Sequence, residues 1–483
     1  MLKNLLKDGL IYTISNFLLK GISFFLLPFY TRVLTPLDYG VIDLLATLFS
    51  LISVTVCLEI TQAVGRYLPE FNENSVIKLI IARTGIWFTI MMNLILMFIF
   101  IFFSENISEI LFGSKSLHFV VKLSGINLFF YGILYAAQNQ LRWQLMAKQN
   151  VIIAILTSLV TILTTIYFVL YCKLGVTGVI LGQVVGSFFG SIIAIYLIKE
   201  SFIPQINLKF LKKMLGYSVP LVFSSAAIIL SQYIDRIAIN YYLGVEEVGL
   251  YGVSFRIANI INLALSGFSI SLTPLIINNY KKADTAYQIS KIFGYFLFIS
   301  LFMIISISLF ADLIFTYFIS FNYYQSIFVL PYILFSVFFN GSYIFAPGLN
   351  LSGKTKQITY LNILSLMINV VFNAILLNTI GFIGAGIATF IASIFFIVSM
   401  FHLSNKYYKI PYQFKKVLTI LIPFFMVCIF FQYIKLNLII ETLIKLIIIC
   451  IFIFCCFYMN FISKKDIQIL KNKLILNFRF KIV

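Results

Sequence analysis

Among the ionisable side chains that interrupt long apolar runs of this chain, Lys20, Asp43, Glu59, Asp235, Arg236 and Arg256 are the candidates for chemistry. A charge held in hydrocarbon is expensive, so such residues face a bundle interior or a water-filled cavity and mark a pathway for substrate or ion. Lys20 and Arg256 together suit an anionic group such as a phosphate or pyrophosphate, which charge-assisted hydrogen bonds hold well. Asp43, Glu59, Asp235 and Arg236 make the expected cavity mixed in sign. One of these acids either binds a coupling H⁺ or Na⁺ or balances a base. Asp235 and Arg236, side by side, either pair with neighbours or reach for the interface.

Helical spacing gives these charges neutral companions. Thr13, Asn16, Lys20 and Ser23 share one face, as do Asp43, Thr47 and Ser50. Asn259, Asn262, Ser266, Ser269 and Thr273 form a third stripe with Arg256 at its edge, and Asn362, Ser365, Asn369 and Asn373 a fourth. Asn16, Asn259 and Asn369 are therefore candidate substrate-binding residues. The plainer reading of the uncharged stripes is hydrogen bonding between helices, which small and polar residues supply throughout membrane bundles.

Other chemistries find little support. Gly348 to Thr355, GLNLSGKT, satisfies the expression of a phosphate-binding P-loop, but that loop needs a strand before it and a helix after it in an α/β domain. Here it follows an apolar span, and no ATP binding is expected. The six cysteines show no C-x-x-C pair, and the two histidines, His118 and His402, are far apart. Neither a disulfide framework nor a metal site is indicated.

The elements that position these residues are membrane spans. The 483 residues are 61% hydrophobic and only 11% charged, with mean hydropathy +1.03, against about 25% charged in a soluble domain. A crossing helix needs about 20 apolar residues. Segments of that kind lie near 10–30, 41–62, 80–103, 117–138, 151–171, 177–198, 215–243, 249–276, 291–312, 327–347, 358–378, 384–402, 417–434 and 442–462. The expected fold is all-α, polytopic, with about fourteen transmembrane helices. The basic N-terminus is followed by no small-residue cleavage site before Lys20 and Pro28, so the first apolar run is expected to stay as span 1.

Lysine and arginine set the orientation. Alternate breaks carry most of the 35 basic residues, among them Lys209, Lys212, Lys213, Lys406, Lys409, Lys415 and Lys416, whereas the opposite breaks hold Arg32, Lys115, Lys173 and Lys435. Both termini are expected in the cytoplasm. The +19 charge is thereby mainly topogenic, and nucleic acid is a poor partner for it.

The chain also repeats. LTPLDYG at Leu34 to Gly40 returns as LGVEEVG at Leu243 to Gly249, KLGVTGV at Lys173 to Val179 as TIGFIGA at Thr379 to Ala385, and Lys148-Gln149 as Lys356-Gln357, all at nearly one offset. The expected organisation is a first lobe over 1–198, a second over 199–403, two further spans over 404–463, and a basic tail over 464–483. Six is even, so the second lobe enters the membrane in the same direction as the first. Parallel repeats of this kind place a substrate site between halves that rock.

LLPFYTRVLTPLDYGVIDLL (26 to 45), DRIAINYYLGVEEVGLYGVSFRIANI (235 to 260) and GLNLSGKTKQ (348 to 357) resemble the Wzx-type polysaccharide (O-unit) flippases of the multidrug/oligosaccharidyl-lipid/polysaccharide exporter superfamily. The resemblance covers essentially the whole chain and includes the arrangement of six, six and two spans, which is MATE-like. It implies a lipid-linked oligosaccharide, carried on undecaprenyl pyrophosphate, moved across a bacterial inner membrane for O-antigen or capsule-type polysaccharide. It further implies a cationic cavity, which Lys20 and Arg256 match by position, membrane lipid as surroundings, and a polysaccharide polymerase and chain-length proteins as partners. A peptidoglycan-precursor flippase or a cation-coupled drug exporter of the same fold is the nearest alternative. An enzyme, either a polymerase or a membrane glycosyltransferase, would carry a sizeable outer loop, and the outer breaks here are short.

Overall fold

The computed structural model describes residues 26–71, 75–144, 146–282, 284–434, 437–459 and 461. Every described apolar run has become helix. Helices α1 (Leu27–Val33), α2 (Pro36–Thr55), α3 (Ile60–Tyr67), α4 (Ser75–Phe102), α5 (Ser104–Phe112), α6 (His118–Trp143), α7 (Ala147–Ile166) and α8 (Gly175–Leu197) are followed by α9 (Leu208–Tyr242), α10 (Val245–Ala258), α11 (Ile261–Asn279), α12 (Thr285–Leu309) and α13 (Leu330–Gly341). The chain closes with α14 (Thr355–Ile380), α15 (Phe382–Tyr407), α16 (Phe414–Phe430) and α17 (Leu438–Tyr458).

Ten of the described helical segments are long and apolar enough to cross a membrane, and α9, bent by 46° between Leu208–Ala227 and Ile229–Tyr242, makes an eleventh if counted as one span. The remaining expected spans differ for local reasons. Span 1 falls largely on residues 10–25, outside the described residues. Span 8 is divided at Asn259 and Ile260 into α10 and α11, and α16 has 17 residues. Span 2 is also divided. It runs as α2 to Thr55 and resumes as α3 at Ile60, and in between Leu58 and Glu59 adopt left-handed backbone at φ 49 and 50. That conformation costs a residue bearing a Cβ roughly 1 kcal/mol.

The repeated strings occupy equivalent local positions. Leu34 and Leu243 are C-cap residues, and Asp38 and Glu247 lie in the first turns of α2 and α10. Thr35 and Asp38 close a capping box on α2, satisfying amides that a helix start would leave bare. Gly175 and Gly381 both turn the chain with positive φ, at 51 and 65. Lys148 and Lys356 are each the second residue of a helix, α7 and α14.

The described chain divides into two compact units, 1–253 with 373–385 and 254–372 with 386–483. In the first, α7 and α8 approach closely because glycines meet threonines. A Cβ at Gly182, Gly186 or Gly190 would overlap the hydroxyl of Thr165, Thr161 or Thr157, a small-residue seam of the kind that lets membrane helices pack without a hydrophobic drive. In the second, buried Phe293, Phe296, Phe335, Phe338 and Phe345 fill the space among α12, α13 and the turn after it. Pro28 and Pro331 sit in the first turns of α1 and α13, where a missing N–H costs nothing, whereas Pro220 and Pro423 are internal.

Candidate functional site

The first unit holds a network of buried charge. Asp235 and Arg236, near the end of α9, are 2% and 1% exposed. Arg236 Nε donates to Asp43 Oδ2 on α2 at 2.9 Å, and its Nη1 donates to the Gln232 carbonyl at 3.0 Å. The guanidinium also lies over the rings of Tyr233 and Tyr251, at 5.2 and 5.4 Å. Asp235 turns the other way. Its Oδ2 accepts from the Tyr251 hydroxyl at 2.7 Å and its Oδ1 from Asn373 Nδ2 at 3.0 Å. A buried charge is tolerated when paired and hydrogen-bonded; Arg236 is both, and Asp235 is hydrogen-bonded by neutral donors. Arg236 thus meets Asp43 as its ion-pair partner.

Beside this network the two repeat strings touch. A Cβ at Gly40 would overlap the carbonyl oxygen of Val245, and one at Gly249 would overlap that of Pro36. The contact is reciprocal, each glycine of the motif resting on the backbone that opens the other copy's helix. Gly252, one turn on, would bring a Cβ to 3.0 Å from Asp43 Oδ2.

Glu59 stands apart from that network. It is 9% exposed at the break between α2 and α3. Close by in sequence, Cys57 accepts a contact from Asn93 Nδ2 at 3.3 Å.

In the second unit Arg256 is half-buried in the last turn of α10. Asn259 follows at the break and accepts from Asn262 Nδ2 at 2.6 Å, while its own amide donates to the Phe255 carbonyl at 3.0 Å. The expected stripe through Arg256, Asn259 and Asn262 is therefore interrupted after its first turn. Asn369 donates to Thr389 Oγ1 on α15 at 3.1 Å, the interhelical bonding that the plainer reading gave it. Lys20 and Asn16 lie outside the described residues.

One charged group escaped the sequence reading of the site. Lys445 on α17 is 2% exposed, 2.6 Å from Asp312 Oδ1 and 2.5 Å from Glu441 Oε1. The neighbouring Tyr324 phenol is raised by burial and then by Asp312 and Glu441. The available signal was a glutamate and a lysine four residues apart in an otherwise apolar run.

The Gly348–Thr355 segment is a single helical turn and a bend between α13 and α14. A helical span, α13, and a short turn precede it where a P-loop would need a strand. The Gly348 amide donates to Ser404 Oγ at 2.7 Å.

The model of the polysaccharide biosynthesis protein family matches residues 5–280, and that of the MatE family residues 220–375. Two uncharacterised membrane proteins of Methanocaldococcus jannaschii are similar. One is 29% identical over 44% of this chain and 54% of its own length, so the chain spans about half of it; the other is 24% identical over 86% and 87%. Among solved structures, the lipid II flippase MurJ in an inward closed conformation aligns at TM-score 0.70 with 18% identity, over 92% of this chain and 98% of that one. An inward-facing multidrug resistance MATE family transporter of the MOP superfamily aligns at 0.62 with 14% identity, over 80% and 93%. A MOP superfamily transporter from Pyrococcus furiosus aligns at 0.55 with 15% identity, over 83% and 95%. At these identities the likeness is one of fold, an all-α polytopic membrane fold.

Proposed function

Since the chain belongs to the polysaccharide biosynthesis protein family, we propose that it is a flippase of lipid-linked oligosaccharide units. The observation that carries this reading is the family match over residues 5–280, more than half of the chain. The substrate is an oligosaccharide on undecaprenyl pyrophosphate, the membrane is the bacterial inner membrane, and the movement is from the inner to the outer leaflet by alternating access. The Wzx-type assignment belongs to this proposal and rests on the resemblance of residues 26–45, 235–260 and 348–357. So do the partners, a polymerase and chain-length proteins, and the expectation that the protein is not an enzyme.

Chemistry supports the anionic cargo. Arg256 offers a planar fork of donors suited to pyrophosphate oxygens; Lys20, outside the described residues, is the second basic candidate from the sequence. Asp43 and Arg236 pair with each other, which favours a charge-balancing part for them. Glu59 and Asp235 remain the acids open to H⁺ or Na⁺ coupling.

Deleting the gene is expected to abolish the surface polysaccharide and leave its lipid-linked repeat units on the cytoplasmic side. Arg256→Ala and Lys20→Ala at normal expression are expected to reproduce most of that loss. Unchanged polysaccharide in the deletion strain would sink the proposal, and accumulation of peptidoglycan precursor instead would move the chain to the related flippase class.

A further inference from the structure

Within the second unit, α12, α13, α15 and α16 enclose a cavity of about 400 Å³. Its walls are apolar, Phe293 and Leu297 from α12, Phe339 from α13, Val398 and Phe401 from α15, and Leu421 from α16. Val398 and Leu418 are 60% and 53% exposed, so the cavity opens sideways, toward where hydrocarbon must lie in a membrane-spanning bundle. Its floor is built. Phe293, Phe345, Phe401 and Tyr412 pack tilted or edge-to-face with centroids 4.9 to 5.8 Å apart. The Tyr412 hydroxyl locks the Phe345 carbonyl at 2.5 Å. Burial pushes that phenol well above the ordinary tyrosine range, so it keeps its proton and the bond.

Of the polar lining, Ser342 is buried and donates to the Phe338 carbonyl, while His402 and Asn405 are exposed near the finish of α15. Exposed Lys406 follows Asn405 directly, and exposed Lys415 follows the lining residue Phe414. The sequence contains no Asp or Glu from 313 to 440. Of the described acids elsewhere in this unit, Asp312 and Glu441 are engaged by Lys445, and Asp284 sits at the start of α12, with Lys281, Lys282 and Lys291 nearby in sequence; Asp466 lies outside the described residues. A laterally open apolar slot with lysines next in sequence to lining residues at its edge and no carboxylate among its described lining residues has the polarity of an anionic lipid, tail inward and headgroup at the basic edge.

We propose that this cavity seats one acyl chain of an anionic phospholipid, with its phosphate at the rim formed by His402, Lys406 and Lys415. Of the candidate substrate residues, the described ones, Arg256, Asn259 and Asn369, do not line this cavity, and the proposal stands or falls independently of the flippase reading.

The full-length protein in nanodiscs, with phosphatidylglycerol carrying a diazirine on its acyl chain, tests the site. Labelling is expected to saturate and to map to residues 397–421, and unlabelled phosphatidylglycerol should compete where phosphatidylcholine does not. Lys406→Gln and Lys415→Gln are both surface changes and should each weaken that competition roughly fivefold. Leu418→Trp, at the exposed mouth, should exclude the chain while leaving the unfolding temperature near that of the parent. Labelling spread evenly over lipid-facing helices would overturn the proposal, as would equal competition by phosphatidylcholine. Displacement by undecaprenyl phosphate in preference to phosphatidylglycerol would also overturn it and give the slot to a substrate tail.

Discussion

Arg236 has no water to stabilise its charge, so its neighbours must do so, and Asp43, the Gln232 carbonyl and two tyrosine rings surround it. Breaking a buried pair by removing one member leaves the other uncompensated and costs about 3 to 5 kcal/mol. Asp43→Asn and Arg236→Met are therefore expected to lower the denaturant midpoint of the purified protein sharply, whereas the exchange Asp43→Arg with Arg236→Asp recovers part of the loss. An Asp43→Asn protein as stable as the parent would remove the pair from its structural part. The sequence made Arg236 conspicuous, since a guanidinium in an apolar run is rare. It did not identify the partner, because Asp43 lies 193 residues away and no spacing rule connects two helices so far apart. The same holds for Asp235, whose Tyr251 and Asn373 partners come from α10 and α14.

Element by element, apolar length predicted helices well, because a backbone in hydrocarbon has no other way to satisfy its own hydrogen bonds. Breaks were harder to read. Nothing in VTVCLEI forces Leu58 and Glu59 into left-handed backbone; packing does, and Ile60, Val64 and Leu68 beyond the break are buried against Ile81, Phe88 and Met214. The glycines were read as marks of a repeat, and the structure adds what they do. Gly40 and Gly249 let two helix starts meet backbone to backbone, so Gly40→Val or Gly249→Val must push α2 and α10 apart. Overpacking of this kind costs about 1 to 3 kcal/mol. Each variant should lower the unfolding temperature, and Gly216→Val, where a Cβ meets nothing within 4 Å, should lower it far less. If all three variants fall equally, helix propensity rather than close approach is the cause.

At the scale of the whole molecule, orientation was read from lysine placement alone, and the chain carries its own reporter for it. Cys172 is exposed in the turn between α7 and α8, on the lysine-poor side, whereas Cys57, Cys428 and Cys456 are buried. Cys450 and Cys455 lie within the span of α17, where the water that a thiolate needs is scarce. A maleimide that cannot cross the membrane is therefore expected to label intact cells, or spheroplasts where an outer barrier intervenes, at one native residue, Cys172. Cys172→Ser should abolish that labelling. If Cys172 reacts only after the membrane is permeabilised, the lysine-rich breaks face outward and both termini change sides. The flippase reading would then require its substrate to enter from the opposite leaflet, which its chemistry does not allow. On the expected span order, labelling from outside would place Lys406 and Lys415 on the cytoplasmic side and the proposed lipid in the inner leaflet.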